Sequence, residues 1–64
     1  MDEKYIELNA FLKQIGVAST GGQAKTIIRD GKIEVNGTLE TRNKKKLHEG
    51  DIVFYEGKKY TVKL

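Results

Sequence analysis

The stretch from Ser19 to Gly37, STGGQAKTIIRDGKIEVNG, admits few folds, because it places a helix, a stop, a short strand and a chain reversal in immediate succession. Ala24, Ile27 and Ile28 recur at helical spacing on one side, while Gly22, Lys25, Thr26 and Arg29 fall on the other. Burying the first set points two cations outward together. Thr20, three residues before Gln23, has the form of a capping box, with the hydroxyl bonding the Gln23 amide and the Gln23 side chain reaching back to Thr20. The spacing predicts a helix from Gly21 to Asp30. After Asp30-Gly31, Ile33 and Val35 alternate with Lys32 and Glu34, and Asn36-Gly37 is a strong hairpin signal with Thr38-Leu39-Glu40 returning. A strict two-residue turn pairs Val35 with Thr38 and Glu34 with Leu39, which sets Leu39 on the face opposite Ile33 and Val35. Either Leu39 is exposed, or the loop has another length or a bulge.

Elsewhere the pattern is simpler. Leu8, Phe11, Leu12 and Ile15 stand at i, i+3, i+4 and i+7, which predicts a first helix over residues 8–15 with Gly16 as a left-handed C-terminal cap. Glu7, Leu8 or Asn9 caps its start, and Tyr5-Ile6 is a candidate for a brief preceding strand. Thr41 to Lys46 reads as a loop, Ile52 to Tyr55 as a strand, Glu56-Gly57 as a turn, and Tyr60, Val62 and Leu64 as the inner face of a half-buried strand. Periodicity assigns most of Tyr5, Phe11, Phe54, Tyr55 and Tyr60 to the core. The sum is an α+β fold, two helices packed on a small antiparallel sheet, in one domain spanning 1–64.

Sixty-four residues leave a thin core, since a domain of this size buries only about 60 % of the surface its unfolded chain exposes. A deep, water-excluding active site is not expected. With no cysteine, neither a disulfide framework, a zinc–thiolate site nor a thiol nucleophile can form. His48 is the only histidine and reads as a surface loop residue, with no second histidine for a metal site or a catalytic triad. Asp30, Glu34, Glu40, Glu49 and Asp51 are accounted for by turn positions and strand faces. The chain reads as non-enzymatic, with no cofactor, no metal and no small-molecule substrate. No apolar run approaches the roughly 18 residues of a membrane span, and the acidic start MDEKYIE is unlike a signal peptide, so the expected location is cytoplasmic.

Twelve Lys and Arg against nine Asp and Glu give a net charge of +3. Its distribution says more than the total. Asp2, Glu3 and Glu7 outweigh Lys4 at the start, whereas Arg42, Lys44, Lys45 and Lys46 place four cations in five consecutive residues. Such local density attracts phosphate.

Phe11-Leu12 and Gly16, the Ala24-Lys25-x-x-Ile28-x-x-Gly31 helix end, the Lys32-Ile33-x-Val35-Asn36-Gly37 hairpin and the later Gly50-Asp51-x-Val53 together resemble the ribosomal protein S-four-type RNA-binding domain, the alpha-L motif. The stand-alone format, the Gly-Gly-Gln-Ala-Lys run at 21–25 and the segment from Glu40-Thr41-Arg42 to Lys46 are similar to the small YaaA/YbcJ-like subfamily. The resemblance spans about Leu8 to Val62. It implies two helices on a small antiparallel sheet and a surface that binds structured RNA, with ribosomal RNA or a ribosomal subunit as the expected partner. By position it implies RNA-facing roles for Ser19, Thr20, Gln23, Lys25, Thr26 and Arg29, with the basic loop Arg42, Lys44, Lys45 and Lys46 beside them. Many such domains carry an arginine near the start of helix two, where this chain has Gly21 and Gly22. Those glycines are either a slack helix start or a close approach for an anion to the helix amides.

Charge alone does not distinguish RNA from DNA, and the same basic face could instead dock an acidic protein as an interaction adaptor. A ubiquitin-like sulfur carrier requires a Gly-Gly C-terminus, where this chain has Val62-Lys63-Leu64. A monomer is the default expectation. The chain lacks the aromatic platform of sheet-based single-strand binders, which favours shape and phosphate recognition over base reading.

Overall fold

The computed structural model describes residues 3–64, so Asp2, counted above among the acids at the start, lies outside the described residues. The elements run β1 (Ile6–Glu7), α1 (Leu8–Gln14), α2 (Gly21–Arg29), β2 (Ile33–Val35), β3 (Thr38–Leu39), β4 (Lys46–Leu47), β5 (Ile52–Tyr55) and β6 (Lys58–Thr61). This is the α+β arrangement that the sequence predicts. The four later strands form one antiparallel sheet in the order β3-β2-β5-β6, while β1 and β4 pair separately, Ile6 opposite Leu47 and Glu7 opposite Lys46.

Both helices end as their apolar spacing and glycines require. In α1 the Gly16 amide donates to the Lys13 carbonyl at 3.2 Å and the Val17 amide to the Leu12 carbonyl at 3.0 Å. That is a Schellman closure, and it needs the left-handed φ of 82° that glycine adopts without strain. Helix α1 stops at Gln14 with Ile15 as its C-cap, and α2 at Arg29 with Asp30 as its C-cap, one residue short of each sequence boundary. At the start of α1, Glu7 is the N-cap and makes no side-chain bond, and the Asn9 carboxamide instead accepts from the Ala10 amide.

The core gathers Leu8, Phe11 and Leu12 of α1, Ala24 and Ile28 of α2, Ala18 between them, and Ile33, Val35, Leu47, Val53 and Val62. Ile27, placed on the buried side with Ala24 and Ile28, is only half-buried. The helices cover one face of the sheet, so alternate residues of every strand must face water. Leu39 settles accordingly. The Asn36-Gly37 turn is a strict two-residue turn with φ of 53° and 83°, Val35 pairs with Thr38 and Glu34 with Leu39, and Leu39 is 58 % exposed. Of the five aromatics read as mostly core, Phe11 is buried and Tyr55 and Tyr60 pack against the core, while Phe54 and Tyr5 are 39 % and 43 % exposed. An aromatic inside a four-residue apolar run cannot share a sheet face with both neighbours, and Val53 takes the inner side. Leu64 is also exposed, because β6 ends at Thr61 and the alternation carries only as far as the buried Val62.

A second two-residue turn joins β5 to β6, pairing Tyr55 with Lys58, and there Glu56 adopts a φ of 50°. A residue with a Cβ pays about 1 kcal/mol or more for that conformation, which Asn tolerates better. Glu56→Asn is expected to raise stability by about 0.5–1 kcal/mol in urea denaturation, while Leu12→Ala, at a fully buried position, is expected to lower it by about 2–5 kcal/mol.

Candidate nucleic-acid interface

Thr20 caps α2 as expected, its hydroxyl oxygen accepting from the Gln23 amide at 3.1 Å. The return bond is displaced by one residue. The Gln23 side-chain oxygen accepts from the Ser19 amide at 2.6 Å instead of reaching Thr20. The Thr26 hydroxyl donates to the Gly22 carbonyl at 3.1 Å, turning back onto its own helix. Four of the six helix positions in the predicted site are thus engaged in starting α2. All four are exposed, and each keeps some polar capacity: the Gln23 NH2, the Thr20 proton, the Ser19 hydroxyl and the Thr26 lone pairs.

Lys25 and Arg29 lie one turn apart, both exposed, with no ion-pair partner among the described residues. Ala24 and Ile28, buried on the opposite side, fix that orientation. At the start of the helix no acidic residue occupies the first turn. A Cβ at Gly21 would meet nothing within 4 Å, and one at Gly22 only the Thr20 hydroxyl at 4.0 Å. Packing does not demand glycine at either position. Their effect is to leave the first helix amides sterically open.

The basic loop is held by its backbone. Its Lys45 carbonyl accepts from the Leu8 amide at 2.9 Å and its Asn43 carbonyl from the Asn9 amide at 2.9 Å, so the loop takes up the first amides of α1. The segment read as a loop through Lys46 ends in a strand, with Lys46 and Leu47 forming β4. Residues 42–46 line an open concavity. Its four cations are not equivalent. Arg42 is held by Glu40, Nε to Oε2 at 3.0 Å, with its own backbone amide on the same oxygen at 3.1 Å. The Lys46 ammonium lies 3.5 Å from Glu3 and 4.8 Å from the centre of the Tyr5 ring. Lys44 and Lys45 have no ion-pair partner among the described residues, Lys44 being exposed and Lys45 half-buried.

Short tethers connect the two basic regions. Arg29 stands two residues before Gly31, and a Cβ on Gly31 would lie 3.9 Å from a Leu39 methyl. The next residue, Glu40, donates its amide to the Ile33 carbonyl at 3.0 Å and holds Arg42. These contacts tie the turn after α2 to the segment that leads into the basic loop. Ser19 and Thr20 sit at the other end of α2, about 13 Å from Arg29 for nine residues at helical rise, and Gln23 is about 9 Å from it. Sequence reasoning missed the two acids. Glu40 stands two residues before Arg42 and was visible, whereas Glu3 meets Lys46 only through the β1–β4 pairing.

Three carboxyls are held below their usual range. The His48 amide, donating to Asp51 at 2.8 Å, is the main cause at Asp51, with the Asn36 side chain adding to it. Glu40 is lowered chiefly by the hydrogen bond from Arg42. Glu3 is lowered chiefly by the bond from His48 Nε2 at 2.7 Å, then by the Lys46 charge. Among the described residues, no three His, Cys, Asp or Glu side chains gather where a metal could be held, and no helix is long and apolar enough to cross a membrane.

The family model for the S4 domain matches residues 1–63. The chain is similar to the "Putative RNA-binding protein YbcJ" of Escherichia coli (strain K12), 38% identical over 53 residues, which cover 83% of this chain and 76% of that protein. It is also similar to the "Probable ribosome maturation protein RlbA" of Bacillus subtilis (strain 168), 37% identical over 57 residues, 89% of this chain and 80% of the relative.

A carboxylate whose folded pKa is depressed contributes stability above its unfolded pKa and loses it as pH falls through the folded value. Stability is therefore expected to be fully present above the ordinary carboxylate range and to be lost as pH falls through the lowered folded values of Glu40 and Asp51. Asp51→Asn should flatten that decline in acid-titrated thermal denaturation; an unchanged slope would remove Asp51 from the linkage.

Proposed function

The chain belongs to the S4 domain family, whose fold is the alpha-L type, and on that premise we propose that it is a non-enzymatic RNA-binding protein recognising structured RNA, with ribosomal RNA or a ribosomal subunit as its partner. The ribosomal part of the reading is supported by the ribosome maturation named in the description of the Bacillus relative. The observation that carries the site is the exposed pair Lys25 and Arg29, one turn apart, with no acid paired to either among the described residues. Arg29 offers a planar fork for a phosphate or a stacking surface for a base, and Lys25 a point charge. Ser19, Thr20, Gln23 and Thr26 contribute what polar capacity the cap leaves them, and the open amides of Gly21 and Gly22 can approach a phosphate at the positive end of α2. The loop cations Arg42, Lys44, Lys45 and Lys46 extend this surface from the other end of the helix.

Binding on this reading is driven by release of counterions as Lys and Arg neutralise phosphates, with the phosphate contacts setting position. Engagement of about four or five phosphates predicts a log–log salt slope near −3 to −4, using the single-strand coefficient as a guide. The test is fluorescence anisotropy on ribosomal RNA fragments across a salt series. The Lys25→Ala, Arg29→Ala double variant should weaken binding across sequences and reduce the slope by about 1.4 without unfolding the domain. A slope near zero overturns the electrostatic mechanism. Retention of partners from ribonuclease-treated lysate, with no affinity for RNA, overturns the RNA reading in favour of an acidic protein partner.

The loop yields a separate expectation. Because Glu40 and Glu3 already offset Arg42 and Lys46, Lys44→Ala with Lys45→Ala should cost more affinity than Arg42→Ala with Lys46→Ala in the same assay.

A further inference from the structure

Directly paired residues of an antiparallel sheet project to the same side. Leu39, Glu34, Phe54 and Lys59 are successive partners across β3, β2, β5 and β6, so they form a single row. All four are exposed, Leu39 at 58 % and Phe54 at 39 %. Two residues back along β5, the half-buried Ile52 lies on the same face, opposite Thr61. The outer sheet face thus carries an apolar stripe down β5, with a carboxylate on its β2 side and an ammonium on its β6 side.

That pattern is complementary to itself. A half-turn about an axis parallel to β5 and just above it lays β5 over β5 and β2 over β6. Phe54 then meets Phe54, Ile52 meets Ile52, and Glu34 of each copy faces Lys59 of the other. We propose that this face is a docking surface for a second copy of the chain, closing a two-fold pair of face-to-face sheets. RNA is the poorer occupant. Glu34 stands directly beside Phe54, so a phosphate backbone stacked there meets a carboxylate. The row is four side chains, with Ile52 beside them, on a molecule whose whole surface is 4338 Å², whereas a stable interface takes about 800 Å² per partner. Association is accordingly weak, and α2 and the basic loop stay open in the pair.

Sedimentation velocity and NMR translational diffusion from about 20 μM to about 2 mM should show monomer at the dilute end and dimer at the top. Glu34→Lys and Lys59→Glu should each weaken association about tenfold or more by setting like charges opposite one another, and the double swap should restore it to within about twofold. Phe54→Ser should abolish it, with circular dichroism confirming the fold. The proposal is overturned if the wild type is monomeric at about 2 mM, or if the double swap associates no better than the single variants. Loss of RNA affinity in Phe54→Ser, in a chain that never dimerises, overturns it in favour of a stacked base.

Discussion

Two backbone hydrogen bonds, from the amides of Leu8 and Asn9 to the carbonyls of Lys45 and Asn43, tie the first helix to the basic loop, and much else depends on them. Helix α1 has seven residues, too few to persist alone in water, and its N-cap Glu7 supplies no side-chain acceptor. The loop supplies the acceptors in its place. The same bonds hold the backbone that carries Arg42 to Lys46, so the framework of the fold and that of the proposed binding surface are one structure. The loop's side chains can change at little cost to the fold, while its carbonyl positions cannot.

The start of α2 divides its chemistry differently. Thr20, Gln23 and Thr26 make hydrogen bonds that establish the helix, and Gln23 also takes up the Ser19 amide. The unsubstituted approach to the helix amides comes from Gly21 and Gly22, which no neighbouring atom requires to be glycine. Side chains there build the cap, and the bare backbone beside them is what an anion would meet. The cations stand further along the helix, where Ala24 and Ile28 anchor the opposite side.

Much of this was legible in the sequence because it is local. Helical spacing, Gly16 at the end of α1, the Thr20 cap and the Asn36-Gly37 turn each depend on residues within a few positions of one another, and each appears where expected, the helix ends to within a residue. What escaped was non-local. The pairing of β1 with β4 joins two-residue strands that have no periodicity to read, and with it came the Glu3 contacts to Lys46 and His48. The exposure of Phe54 was not legible for a related reason. In the run Ile52 to Tyr55 every residue is apolar, so the sequence marks no wet side, and only the pairing of Val53 with the buried Val35 determines which side chains turn outward. For the basic surface, the sequence identified the cations but not which of them acids already engage.

The boundaries of the four-stranded sheet carry one more consequence. On one side β3 offers just Thr38 and Leu39, and on the other β6 begins Lys58-Lys59. A two-residue edge presents too short a template for an incoming strand, and adjacent lysines oppose a second copy approaching in the same way. Both edges therefore disfavour lateral growth by strand addition, beside an open sheet face that carries an apolar stripe.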